Sequence, residues 1–223
     1  MKKTLLFITF TLTTTISNAQ LKIKAGTNIS SITGHTNVSF SQSENYRFDF
    51  KDSTKSKVGF YAGIGYSLNI TEHIGFSPEI IYNQMGAKAD NYIGDSKSSF
   101  YKNYISLPLL FEYRFLKKFK FGIGPQIDYL LKSTYKNYYR NIPDHLQNSL
   151  NKEGDDTEMF DKINYGLTAG ISYDILGCLS IEAKYYIGLN NSYNEDKLPK
   201  FTNATTTAEM KNRLLQIGAA YKF

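Results

Sequence analysis

The stretch VGFYAGIGYSLNITEHIGFSPEIIY, residues 58–82, separates by parity into two unlike rows. Val58, Phe60, Ala62, Ile64, Tyr66, Leu68 and Ile70 are apolar or aromatic, whereas Gly59, Tyr61, Gly63, Gly65, Ser67 and Asn69 are mostly small or polar. After Thr71-Glu72-His73 the alternation resumes, with Ile74, Phe76, Pro78, Ile80 and Tyr82 on one row and Gly75, Ser77, Glu79, Ile81 and Asn83 on the other. A period of two means successive side chains point to opposite faces of a strand. Each arm is long enough for the roughly 9–11 tilted residues that cross a bilayer. The stretch therefore predicts one hairpin of a transmembrane β-barrel.

The same parity holds in eight segments. The further apolar rows are Leu21–Ile29 on odd positions, Ile105–Phe115, Phe119–Leu131, Ile163–Ile175, Leu179–Leu189 and Leu215–Phe223, and none contains a charge. The charges sit on the alternate rows: Lys22, Lys24, Glu79, Glu112, Arg114, Lys120, Asp128, Asp174, Glu182, Lys184 and Lys222. A soluble lipocalin-like barrel would enclose the apolar row and wet the charged one. Here glycine shares the charged row, which fits the crowded interior of a small barrel whose greasy row meets lipid. The fold class predicted is all-β: an eight-stranded antiparallel up-and-down transmembrane β-barrel.

The connections carry a second argument. Three are short (71–73, 116–118 and 176–178), and they alternate with four long polar ones near 31–57, 84–102, 133–161 and 191–213. Outer-membrane barrels have short periplasmic turns and longer extracellular loops. An even strand number then puts both termini in the periplasm and the long loops outside. Tyr113, Tyr173, Tyr221, Phe76 and Phe223 lie near the short turns, and Phe60, Tyr82, Tyr129 and Tyr165 near the long loops. Two aromatic belts at two heights are what bilayer interfaces select.

Composition and the N-terminus set the remaining bounds. The 223 residues include 18 tyrosines, 15 phenylalanines, one cysteine and no tryptophan, enough for one domain. Lys2 and Lys3, the uncharged run from Leu5 to Ile16, and Ser17-Asn18-Ala19 read as a secretory signal, residues 1–19, ahead of a barrel domain at 20–223. No later run reaches 18 apolar residues, so no helical span is predicted. Lone Cys178 excludes an internal disulfide. Without Lys2 and Lys3, 24 basic face 20 acidic side chains, a mild +4 that points to no nucleic-acid partner in an exported chain.

Equal turns predict register. If Ile70 faces Ile74, Phe115 faces Phe119 and Ile175 faces Leu179, then Gly65 lies opposite Glu79, Gly122 opposite Glu112 and Gly170 opposite Lys184. Each long charged side chain would then have room to cross the lumen. Buried charges must pair, so Glu79, Glu112, Arg114, Glu182 and Lys184 are expected to form an internal network, which Gln126, Asp128 and Tyr186 extend outward. Pro78, Pro108 and Pro125 remove ladder donors inside strands, and bulges or open pairing are expected there.

The segments SPEIIYNQMGAK (77–88), YISLPLLFEYRF (104–115), FGIGPQIDYLL (121–131), YGLTAGISYDI (165–175), LSIEAKYYIGLNN (179–191) and KNRLLQIGAAYKF (211–223) together resemble the PorT-like outer-membrane β-barrel family of Gram-negative bacteria. The resemblance covers nearly all of the mature chain and implies a barrel inserted from the periplasm. It makes Tyr221 and Phe223 a C-terminal aromatic signal for the barrel-assembly machinery. The founding member of that family is linked to a type IX secretion and gliding apparatus, and most relatives have no assigned role.

Chemical motifs are sparse. His35, His73 and His145 are the three histidines, and Ser30, Ser31 or Ser149 would have to meet one of them in an outer-rim enzyme. Asp155, Asp156, Glu158 and Asp161 lack the glycine and alternating oxygens of a calcium loop, so they read as a solvated acidic run. YKNYYR (135–140) offers Lys136 and Arg140 to lipopolysaccharide phosphates or an acidic partner, but reads first as an aromatic belt with interfacial basic residues. Eight strands enclose only enough space for side chains, and Tyr61, Ile81, Leu110, Leu130 and Tyr186 point inward, which argues against a diffusion pore. The functional expectation is a non-enzymatic scaffold or surface-interaction protein of the outer membrane, with no cofactor and no metal. Its expected partners are outer-membrane lipids and lipopolysaccharide, the assembly machinery and an envelope protein. An accessory part of a secretion machine and an outer-rim enzyme are the alternatives.

Overall fold

The computed structural model describes residues 19–40, 45–49, 54–91, 96–139, 151–197 and 204–223. The strands are β1 (Ala19–Phe40), β2 (Asn45–Asp49), β3 (Thr54–Asn69), β4 (Ile74–Asn91), β5 (Ser96–Leu116), β6 (Phe119–Tyr138), β7 (Glu153–Asp155), β8 (Ile163–Asp174), β9 (Leu179–Gly188) and β10 (Ala204–Lys222). Eight of them form a closed antiparallel ring in the order β1-β3-β4-β5-β6-β8-β9-β10, and β10 closes it by pairing with β1 from Lys222 opposite Lys22 to Ala204 opposite Phe40. Short β2 pairs with β1 and short β7 with β6, raising the wall at the long-connection end.

The apolar rows face outward. Val58, Phe60, Ile64, Ile70, Ile74, Ile80, Phe111, Ile123, Leu167, Ile181 and Ile217 are all exposed, while Lys24, Glu79, Asp128, Glu182 and Lys184 are buried inside the ring. Tyr61, Ile81, Leu110, Leu130 and Tyr186 are buried with them. A water-soluble barrel could not keep that many isoleucines and phenylalanines on its surface; a hydrocarbon solvent makes the arrangement favourable. Aromatic contacts mark both rims of the apolar band. Phe76 meets Phe111 at 5.1 Å and Phe119 meets Tyr173 at 4.7 Å at the short-turn rim, and Phe60 meets Tyr82 at 5.6 Å at the other.

Register follows the turns, with one exception. Gly65 lies opposite Glu79, Gly122 opposite Glu112 and Gly170 opposite Lys184. A Cβ on Gly65 would stand 3.1 Å from Glu79 Cγ, so the glycine leaves that stem its room. The exception is the β5–β6 turn, where Leu116 rather than Phe115 faces Phe119 and Phe115 is bulged. The bulge shortens the connection to two residues, a favoured hairpin length, and sets the Phe115 ring 5.6 Å from Phe119.

The prolines interrupt pairing without shifting it. The β4–β5 register is the same on either side of Glu79 and Ile80, and the β5–β6 register is the same on either side of Leu109 and Leu110, opposite Pro125. The other register shifts fall between Ser56 and Tyr61 and between Asn103 and Tyr104. A one-residue slip exchanges the two faces, and beyond Leu131 both it and Lys132 are exposed before Ser133 turns inward.

The long connections are shorter than the sequence suggests. Much of 31–57, 84–102, 133–161 and 191–213 is strand, because β1, β4, β5, β6 and β10 continue past the apolar band. In β5 the apolar outward row ends at Ile105, and the next outward position, Asn103, pairs with Lys132. The predicted signal segment lies outside the described residues up to position 18, and so do His145, Ser149 and Arg140.

Candidate functional site

The lumen is filled in four layers, and the candidate residues are distributed among them. Next to the short turns lies a ring of Lys22, Glu112, Arg114, Lys120, Asp174 and Lys222. Lys22 pairs with Glu112 at 3.7 Å, and Asp174 receives both Lys120 at 3.0 Å and Lys222 at 3.8 Å. Arg114 makes no ion pair among the described residues, and its buried Nε has no hydrogen-bond partner.

One turn deeper the charges compensate each other. Lys24 Nζ binds Glu79 Oε1 and donates to Glu182 Oε2 at 2.7 Å. Lys184 Nζ donates to Glu79 Oε2 at 2.6 Å and stands 3.4 Å from Glu182. The Tyr61 hydroxyl completes the set by donating to Glu182 Oε1 at 3.2 Å. Two ammonium groups and two carboxylates from three strands, β1, β4 and β9, all nearly inaccessible, thus neutralise each other. Removing one member of such a set leaves a buried charge unpaired. A cavity of about 20 Å³ adjoins this layer beside Leu110, Gly122 and Gly170, space for a water or so.

The third layer is built of amides. Gln216 Nε2 donates to Asn83 Oδ1 at 2.8 Å, Asn28 Nδ2 donates to the same oxygen at 3.1 Å, and Asn83 Nδ2 donates to Ser106 Oγ at 2.7 Å. On the other wall Thr168 Oγ1 donates to Gln126 Oε1 at 2.6 Å, and Gln126 Nε2 donates to Asp128 Oδ1 at 2.7 Å. Asp128 also has Ser106 and the Tyr186 hydroxyl as hydrogen-bonding neighbours.

Above the amides the lumen becomes apolar. Ile32, Met85, Ala87, Tyr104, Leu130, Phe160, Tyr186, Met210 and Leu214 form one buried cluster. Phe160 enters from the segment after β7 and stacks on Tyr193 at 5.0 Å, so the β6–β8 and β9–β10 connections jointly lid the mouth. Lys102 is enclosed here at 1% exposure. Its ammonium lies 3.4 Å from the centroid of the Phe160 ring and 3.3 Å from Met210 Sδ. Lys102 lies above the apolar band, and burial pushes its amine down from the usual 10.5 to about 7, with Asp156 opposing weakly.

Among the residues singled out in the sequence, the structure brings Glu79, Glu182 and Lys184 into one cluster and Gln126 with Asp128 into another. Glu112 belongs to the short-turn ring, and Arg114 stays apart from the inner quartet. Lys24 was readable as an inward charge, but its central place depends on the β1–β10 closure. The Asn28–Asn83–Gln216 set and Lys102 carry no motif at all. Tyr221 and Phe223 face outward at the short-turn rim with ring centroids 5.1 Å apart, and the Phe223 amide donates to Leu21 O at 3.0 Å.

Of the enzyme and metal candidates, Ser30, His35, His73 and Asp155 have other contacts. Ser30 Oγ accepts from the Gly86 amide at 2.8 Å and donates to the Gly86 carbonyl at 2.9 Å, bracing the strand where Gly86 has φ 153°. His35 Nδ1 stands 3.8 Å from Glu209, and His73 packs on Tyr113 at the opposite end. Asp155 accepts from the Thr157 amide at 2.9 Å, and Lys136 pairs with Glu153 at 2.7 Å. Among the described residues no group of three or more His, Cys, Asp and Glu side chains is arranged to hold a metal ion.

A closed ring of eight antiparallel strands, greasy outside over bilayer height and filled with compensated charge inside, defines a transmembrane β-barrel of the outer-membrane kind. The chain belongs to the family described as outer membrane protein beta-barrel domain, whose model matches residues 7–194. Solved structures of similar shape include Neisserial surface protein A (NspA), 15% identical, covering 92% of this chain and 99% of that one with a TM-score of 0.46. Ail, the attachment invasion locus protein of Yersinia pestis, is 12% identical, with 92% and 97% covered and a TM-score of 0.41. Outer Membrane Protein W of E. coli is 15% identical, with 92% and 98% covered and a TM-score of 0.37. No curated protein matches the chain in sequence.

Proposed function

We propose that this chain is a non-enzymatic outer-membrane scaffold and surface-interaction protein that acts through its ends rather than through its lumen. The carrying observation is that every level of the interior is occupied: a charged ring, a neutral quartet, an amide layer and an apolar plug under Phe160 and Tyr193. In this reading residues 1–19 are a removed signal and both termini are periplasmic. The raised wall of β1, β2, β4–β7 and β10 stands outside the cell, among lipopolysaccharide and any envelope partner. Tyr221 and Phe223 serve the assembly machinery during insertion.

Exchanging the four long connections for those of an unrelated barrel tests the reading. Surface binding to host or neighbouring-cell material should vanish while the unboiled gel band still shifts on heating; retained binding would refute it. The PorT-like segments of β4, β5, β6, β8, β9 and β10 support a second reading as an accessory part of a secretion machine. Loss of protein secretion on gene deletion, rescued by the loop-exchanged chain, would favour that one. Hydrolysis of lipid or peptide by the purified barrel would favour an outer-rim enzyme over both.

A further inference from the structure

The mouth beside the short turns is over-supplied with positive charge. Lys22, Arg114, Lys120 and Lys222 converge there, and the only carboxylates within 4 Å of any of them among the described residues are Glu112 and Asp174. Asp174 is shared by two ammonium groups, and Lys222 also faces Lys120 and Arg114 as like charges. The next layer inward cannot absorb the excess, because Lys24 and Lys184 already match Glu79 and Glu182 one for one. A groove open to the outside runs from the β3–β4 turn, past Thr71, Glu72 and His73, to Glu112, Arg114 and Lys120. Arg114 lines it, and its Nε, buried and without a hydrogen-bond partner, is a donor left over after the internal pairing.

Among the inward-facing side chains four cations against two anions leave a surplus of two, and on the turns around them Lys117 and Lys118 outnumber Glu72. A dianion with several acceptor oxygens would neutralise it and satisfy the guanidinium, since Arg binds phosphate oxygens bidentately and Lys supplies point charge. We propose that this mouth is a binding site for a phosphate-class dianion, held by Arg114 and Lys120 with Lys22 and Lys222 behind them. The ligand chemistry is that of a phosphomonoester, carried either by free phosphate or by a lipid headgroup. The site is separate from the raised wall at the other end, so its failure leaves the surface-interaction reading standing.

The test uses the full-length barrel in an alkyl glycoside detergent, which itself carries no phosphate. Inorganic phosphate is titrated at constant ionic strength, with chloride as the balancing salt, while backbone amide resonances are followed. Saturable shifts confined to the short-turn mouth, including Thr71, His73, Arg114 and Lys120, are expected. Arg114→Gln and Lys120→Gln should each weaken them about tenfold or more, whereas Lys132→Gln at the opposite end should leave them unchanged. Heat-shift mobility checks that each variant is folded. Adding phosphatidic acid or phosphatidylglycerol to the micelles separates the sources: competition by the monoester lipid alone assigns a headgroup, and no competition assigns free phosphate. Equal shifts with chloride alone, linear shifts that never saturate, or affinity unchanged in both variants would overturn the proposal.

Discussion

Replacing Lys102 by methionine should stabilise this barrel at neutral pH, although a lysine buried in a protein is usually expected to have a reason. The side chain lies against Phe160 and Met210, with Met85 opposite on the neighbouring strand, and no carboxylate lies within 4 Å of it among the described residues. Burial holds the amine near 7 against its usual 10.5. The folded state therefore binds fewer protons than the unfolded state between those two values, and stability must rise as pH is raised across that window. Below about pH 7 the full penalty is present; above about 10.5 it is gone. At 1.36 kcal/mol per pH unit the interval is worth on the order of 5 kcal/mol, nearly all of it still paid at pH 7.

Methionine has a similar length and no charge to desolvate, and its sulfur can take the place of the ammonium against Phe160. The assay is urea unfolding from phospholipid vesicles, followed by circular dichroism or tyrosine emission because the chain has no tryptophan. The wild type should gain several kcal/mol between pH 7 and pH 10 relative to Lys102→Met, and the variant should be the more stable of the two at pH 7. Differences between the two proteins cancel the titration of the other lysines. A variant less stable than the wild type at pH 7, or a difference that does not change with pH, would refute the reasoning and mean that Asp156 or the Phe160 ring fully compensates the charge.

Glu79→Gln should cost about 3–5 kcal/mol in the same assay, because Lys184 keeps only Glu182 at 3.4 Å and Lys24 loses one of two carboxylates. The double variant Glu79→Gln/Lys184→Met should recover part of that loss. Ile64→Arg puts a charge at mid-height of the lipid face and should cost roughly 2–4 kcal/mol, whereas Val58→Arg at the rim should cost about 0–1 kcal/mol; equal costs would contradict the placement of the apolar band. Gly124→Ala would drive a Cβ onto the Leu109 carbonyl, and Gly177→Ala meets nothing within 4 Å. The first should therefore fail the heat-shift test of folding, and the second should pass it.

The wall of this barrel was legible because its physics is local. A two-residue period needs no knowledge of partners, and equal turn lengths carry the pairing from Ile70 and Ile74 up to Gly65 and Glu79 by counting alone. Counting fails where a residue is added. Phe115 bulges where the turn tightens to two residues, and the slip near Leu131 reverses which face is inward, so the parity reading could not extend into the raised wall. Segments taken for loops are strands there, since polar residues on both faces give no alternation once the strand leaves the lipid. The interior was legible in part. Any charge on an inward row must be in the lumen, but which cation meets which anion depends on how far the strands stagger around the ring. Lys24 reaches both Glu79 and Glu182 only because β10 closes on β1 with Lys24 opposite Ala220.

The four layers also differ in whether they balance themselves. The quartet of Lys24, Glu79, Glu182 and Lys184 is neutral, and the amides above it share donors and acceptors, so these two layers have the composition expected of a wall brace. Departures from balance lie toward the two ends: an orphan guanidinium nitrogen among four cations at one, and an amine with no ion pair, enclosed in a greasy plug, at the other. Local inconsistency of this kind costs stability and persists where something else selects for it. A brace through the middle with unsatisfied groups toward both openings is the layout that the proposed role, acting through the ends rather than the lumen, calls for.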